Sequence, residues 1–210
     1  MTNRWESMVV WGIVCLCAIL LAGCPSTQPS KFYVLSPLSS PEQKGNASLG
    51  NDALAIGVGP IAIPAYLDRP QIVKRRSTHE LELAEFHKWG EPLKANISRV
   101  LAENLSGLLS TDELYLFPWK RSAQFHYQVL VRITRFDTSP EGDAILNARW
   151  AIRANNERDV LAIRRSHFRN PDSGQGYQGT VSALSQNLED LSQVIATTIT
   201  SLHSNSPTKK

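Results

Sequence analysis

An uninterrupted apolar run, Met8 to Ala22 (MVVWGIVCLCAILLA), leads into Gly23-Cys24, and every cysteine of the chain (Cys15, Cys17, Cys24) lies at or before that point. A short segment holding Arg4 and the amino terminus precedes the run, which is the layout of a signal peptide. The run is shorter than the roughly 20 residues a spanning helix needs, and no later stretch matches it, so no transmembrane helix is expected in the mature chain. The chain after Cys24 must fold without disulfides or thiolate metal clusters and depend on a hydrophobic core. Composition allows one: 42% of the 210 residues are hydrophobic and 20% charged, which suits a single globular domain and excludes a disordered chain. Lys and Arg number 22 against 19 Asp and Glu, a net +3. That balance is too even to predict a nucleic-acid partner, and none is expected.

Leu21-Ala22-Gly23-Cys24 resembles the bacterial lipobox. Small side chains let such a peptide enter the signal peptidase, and only a thiol can hold a diacylglyceryl group as a stable thioether. Cleavage would leave Cys24 first, with lipid on sulfur and amine, palmitate included. Each buried CH₂ contributes about 0.8 kcal/mol, so one acyl chain holds reversibly and two or three hold firmly. Pro25, rather than Asp, follows the cysteine, and by the same resemblance this favours the periplasmic face of a Gram-negative outer membrane. The expected organisation is a lipoprotein signal peptide (1–23), a lipidated linker (24–30), one domain (31–203) and a polar tail (204–210). The linker residues PSTQPS would reach about 20 Å when extended.

Within the domain the apolar pattern changes period. Phe32 to Leu35 and Leu54 to Ile63 read as strands, with Gly57 and Gly59 on one face of the second and Pro60 breaking its pairing. Leu81, Leu83 and Phe86 mark a further strand or hairpin arm. After Pro92, a plausible first helical position, Leu93, Ile97, Val100, Leu101, Leu105, Leu108 and Leu109 recur at helical spacing. Alternation then returns. Phe125, Tyr127, Val129, Val131 and Ile133 share one face, Leu146, Ala148, Trp150 and Ile152 the next, and Val160 to Phe168 suggests a third strand of an antiparallel meander. Val181, Leu184, Leu188, Leu191, Ile195, Ile199 and Leu202 close the chain as a second helix. The class is α+β (α/β in looser terms): an antiparallel or mixed sheet with two amphipathic helices packed on one face.

A search for chemistry finds no catalytic constellation. Gly57-Val58-Gly59-Pro60 lacks the third glycine of a dinucleotide turn, and there is no P-loop or G-x-S-x-G. His79, His87, His126, His167 and His203 have no metal-ligand spacing, so no metal site is expected. Lys74-Arg75-Arg76 reads as a solvated strand edge. Trp150 belongs to an apolar strand face, whereas Trp119, beside Lys120 and Arg121, is a candidate interface anchor.

Several motifs combine with the lipobox: Phe32-Tyr33-Val34-Leu35, Ile56 to Pro60, Pro64-x-Tyr66-Leu67-Asp68-Arg69-Pro70-Gln71-Ile72-Val73, Trp89-x-Glu91-Pro92-Leu93 and Arg99 to Leu105. Together they resemble the ABC-type transport auxiliary lipoproteins of the PqiC (YmbA) type. The resemblance implies a non-enzymatic auxiliary subunit of an MCE-type system that moves lipids between inner and outer membranes and supports membrane integrity. It implies an MCE-domain tunnel protein as partner, a homo-oligomeric ring and no cofactor beyond the covalent lipid on Cys24. Asp68, Arg69 and Pro70 become candidate partner or oligomer contacts with Trp119, or else only stabilise a turn. The alternative is an envelope assembly or scaffold lipoprotein unrelated to lipid transport.

Overall fold

A computed structural model of the chain describes Trp5, Trp11 and residues 28–37, 54–120, 122–154 and 159–205. Cys24, the lipobox and the last five residues of the polar tail lie outside the described residues. The elements run β1 (Lys31–Tyr33), β2 (Ile56–Ala62), β3 (Gln71–Arg75), β4 (Leu81–Trp89), α1 (Leu93–Leu109), β5 (Leu114–Leu116), β6 (Tyr127–Thr138), β7 (Ala144–Ala154), β8 (Val160–Asn170) and α2 (Tyr177–Ser204). The α+β class holds. The strands form two mixed sheets rather than one: three strands in the order β1-β4-β3, and five in the order β5-β2-β6-β7-β8.

The five-stranded sheet combines two kinds of pairing. Its long meander β6-β7-β8 is antiparallel, whereas β2 runs parallel to both β5 and β6. Pro60, which has no N–H to give a ladder, lies where the β2–β6 register shifts between Val58 and Ile61. Strand β5 has three residues and carries no alternation to announce it. It forms because Thr111 Oγ1, at the end of α1, donates to Leu54 O at 2.7 Å and Ile56 N–H donates to Glu113 O at 2.8 Å. Both bonds set the chain alongside β2.

Both helices cover the same face of this sheet. Pro92 is the residue before α1 rather than its first, so Leu93 begins the helix, and α1 ends at Ser110 in the left-handed conformation (φ 52°). Leu93, Ile97, Val100, Leu101, Leu105 and Leu109 of α1 are buried with Leu184, Leu188, Leu191, Ile195 and Ile199 of α2. Beneath them lie Ile56, Val58, Val129, Val131, Ile133, Leu146, Trp150 and Ile152 from the strands, in one continuous core. At roughly 1.5–3 kcal/mol per large side chain, this layer dominates stability. A polar bond crosses it, from Asn104 Nδ2 of α1 to Ser192 Oγ of α2 at 3.1 Å. Among the described residues, no helix is long and apolar enough to cross a membrane.

Truncating the α1 stripe should therefore be costly and truncating its outer face should not. Leu105→Ala is expected to lose about 2–5 kcal/mol in urea unfolding, and Lys94→Ala to stay within about 0.5 kcal/mol of the parent. Equal losses would show that the stripe is not the core.

Candidate functional site

The Leu67–Val73 motif is a fastening between the two sheets. Pro64 O and Ala65 O accept the N–H groups of Leu67 and Asp68, and Pro70 O accepts Trp89 N–H at 2.7 Å, which ties the turn to the end of β4. Leu67 and Ile72 are buried in the core, while Asp68 and Pro70 are exposed and Arg69 is half-buried. Arg69 Nε is shielded from solvent with no hydrogen-bond partner.

Next to this turn lies Asp137, fully buried near the end of β6. Arg75 Nη2 donates to its Oδ2 at 3.1 Å, Arg135 Nε to its Oδ1 at 2.7 Å, and Tyr66 hydroxyl to its Oδ2 at 3.0 Å. The sequence reading of Lys74-Arg75-Arg76 as a solvated edge is thus corrected at Arg75. Arg76 keeps that character, paired with Glu82 at 2.9 Å and largely exposed. Burial and the neighbouring Asp137 charge raise the Tyr66 phenol to about 12. The Trp89–Leu93 motif also acts locally: Glu91 and Glu103 both accept from Arg99, whose guanidinium reaches Asn96 and the carbonyl of Leu35 as well.

The first strand is held by aromatic contacts. Tyr33 hydroxyl and His87 Nδ1 are 2.7 Å apart, His87 stacks on Tyr177 at 3.9 Å, and Lys74 Nζ lies 4.3 Å from the Tyr177 ring centre. Burial lowers the His87 imidazole below its ordinary value, with Lys31 and Lys74 adding to the effect. Beyond Tyr33 the chain follows α2, where Ser36 N–H donates to Ser185 Oγ at 3.2 Å. The chain coming from the linker thus enters the fold on the helix side.

Trp119 lies elsewhere, on the opposite face of the five-stranded sheet. Its ring packs edge-on against Phe117 at 5.3 Å and Phe125 at 4.8 Å. Phe125 covers Gly57, where an added Cβ would stand 3.0 Å from the ring. The Cβ of Phe117 would stand 2.7 Å from one added at Gly59, whose φ of 115° already favours glycine. Aromatic side chains therefore approach both strand glycines closely. Trp119 is half-buried and Phe117 is 51% exposed. None of the Trp119 ring contacts is to the Asp68–Pro70 turn, so the sequence-derived candidates form two separate places.

Beyond this aromatic cluster the same face of β6, β7 and β8 carries exposed arginines. Arg132, Arg149 and Arg165 are direct cross-strand neighbours, with Arg149 paired to each of the other two in the ladders. Their exposure was legible from the alternation of the strands; their alignment needed the register. Among the described residues, no group of His, Cys, Asp and Glu is placed to hold a metal.

The chain is thus an α+β domain with one face of its main sheet roofed by helices and the part of the other face over β6, β7 and β8 open. The chain belongs to the family of ABC-type transport auxiliary lipoprotein components, whose pattern it matches over residues 33–196. It is 28% identical over 172 residues to the intermembrane transport lipoprotein PqiC of Escherichia coli (strain K12), covering 82% of this chain and 88% of that one. The PqiC of Shigella flexneri matches with the same identity and coverage. In fold it is similar to the solved structure of protein XCC0632 from Xanthomonas campestris. The TM-score is 0.67 at 15% identity, with 83% of this chain and 98% of that one covered. The protein is thus an auxiliary component of a transport system.

Tyr66→Phe should weaken the fold by about 1.5–3 kcal/mol at neutral pH, the range for hydrogen bonds to a charged group. Because the folded-state phenol titrates at about 12 and an ordinary tyrosine at 10.0, the advantage of Tyr66 is complete below pH 10 and is lost as pH rises towards 12. Urea unfolding of parent and variant across pH 8 to 12 should show their stability difference shrinking above pH 10. A difference that grows there would refute the assignment.

Proposed function

We propose that this protein is the lipid-anchored auxiliary subunit of an MCE-type ABC system for intermembrane lipid transport. It stands on the periplasmic face of the outer membrane, has no catalytic role and helps to maintain membrane integrity. The supporting observation is the family match over residues 33–196 together with relatives named as intermembrane transport lipoproteins. The lipobox ending at Cys24, with Pro25 after it, adds the anchor and its destination. Several copies would form a ring that receives the end of an MCE-domain tunnel protein. In this reading Cys24 holds the domain at the membrane, the linker keeps it within about 20 Å of the surface, and the folded body serves as a docking platform. Asp68, Arg69, Pro70 and Trp119 remain the proposed contacts with a partner or a neighbouring copy.

Fractionation of cells expressing the parent or Cys24→Ala tests the anchor. The parent should sediment with outer membranes, and the variant should be soluble in the periplasm or persist as unprocessed precursor, with its function lost and its fold kept. A parent protein found in the soluble fraction would overturn the reading. Pull-down of the detergent-solubilised lipoprotein should recover an MCE-domain protein; repeated failure at native expression would count against the transport assignment.

A further inference from the structure

The open face of β6, β7 and β8 is built in rows. One row is Arg132, Arg149 and Arg165; the next, two residues along each strand, is Leu130, Ala151 and Ile163. Arg153 comes next on the same face of β7. All four side chains are exposed, and none of their guanidinium groups makes a hydrogen bond or ion pair with a described residue. Arg75, Arg76, Arg99, Arg135 and Arg169 have carboxylate partners, whereas these four, like Arg69 and Arg164, have none among the described residues. Like charges directly opposite one another on adjacent strands destabilise a sheet. The fold holds three in line and supplies no counter-charge among the described residues. Beside them Ile163 is 50% and Val160 40% exposed. The groove over these strands has a volume of about 530 Å³ and is bordered by Pro60 and Ala62 on the side of β2.

We infer that this face docks an acidic polypeptide surface of a partner protein, with carboxylates meeting the arginine row and apolar side chains meeting Leu130 and Ile163. Charge complementarity sets the sign of the partner, and the fork of each guanidinium suits a carboxylate. The spacing of the rows sets its pattern: an acidic row and an apolar row about 7 Å apart, two residues along a strand. Anionic phospholipid would satisfy the same charge, but the placement of the face favours a protein. The segment from Phe32 to Pro37 lies along α2, on the roofed side of the sheet. A chain tethered through a short linker on that side turns the arginine row away from the bilayer that holds it. In this respect alone the inference rests on the proposed membrane anchor.

The test uses the full-length lipidated protein in nanodiscs of phosphatidylcholine, with and without phosphatidylglycerol. A short fluorescein-labelled poly-glutamate peptide is followed by fluorescence anisotropy. The peptide should bind equally in both discs, weaken as salt rises, and lose on the order of tenfold in affinity in Arg149→Glu. Arg149→Ala should also bind less while melting no lower than the parent, because it removes a like-charge contact. Peptide binding indifferent to Arg132, Arg149 and Arg165 would overturn the inference. So would peptide binding that is lost in the phosphatidylglycerol discs because the lipid occupies the arginine row, since that assigns the face to the membrane. The mass of the same preparation reports the lipid on Cys24, so failure of the anchor is seen separately from failure of the face.

Discussion

A carboxylate shielded from water is costly unless its lone pairs are met by donors, and Asp137 sits at such a point with three of them. Arg75 comes from the three-stranded sheet, Tyr66 from the turn after β2, and Arg135 from β6 itself. Two of the bonds that compensate the buried charge, from Arg75 and Tyr66, are also ties between separate parts of the chain. Compared with an apolar contact of the same size, such a cluster adds little net stability. It does restrict placement, because an apolar patch tolerates sliding whereas this carboxylate needs its donors at 2.7 to 3.1 Å. The position of the three-stranded sheet, and with it the entry of the chain from the linker, depends on that restriction.

Much of the architecture could be read in advance because the long elements carry long periods. Seven apolar residues at helical spacing define α1, and strict alternation defines β6 and β7. The features that escaped are set by contacts distant in sequence. Strand β5 exists because Thr111 and Glu113 reach the start of β2, more than 50 residues earlier. The division into two sheets follows from β4 pairing with β1 and β3 and not with β2, which no local pattern encodes. Arg75 looked solvated because its partner is 62 residues away. That partner was hidden by a register shift between Ile133 and Arg135, after which Phe136 takes the core side and Asp137 the other. Among the site residues, Trp119 was distinguished by its basic neighbours, while the motif around Leu67 to Val73 proves to serve the junction between sheets.

The outward character of the described domain follows from α1 and α2 both lying on one side of the sheet. A five-stranded sheet roofed on one face must solvate, cover or dock the other. Here the part over β2 and β5 is covered from within, by Phe125 and Phe117 closing on Gly57 and Gly59. The part over β6 to β8 is left to water and charge. The contrast divides one surface into an aromatic shoulder and a basic field.

The free edge of the sheet bears on the same surface. Strand β8 has 11 residues, lies at the end of the order, and exposes Val160, Leu161 and Ile163. A long apolar edge invites pairing with another chain, and charge along it is a common defence. Arg164 and Arg165 supply that charge, while Arg169 is paired with Asp143. Arg165 therefore acts in two directions at once: along the edge it discourages strands of like charge from adding to the sheet, and across the face it completes the row with Arg149 and Arg132. A neutral replacement there would relieve repulsion within the face while removing a guard from the edge. The cost of three aligned positive charges is thus offset by protection that an isolated domain needs even before any partner arrives.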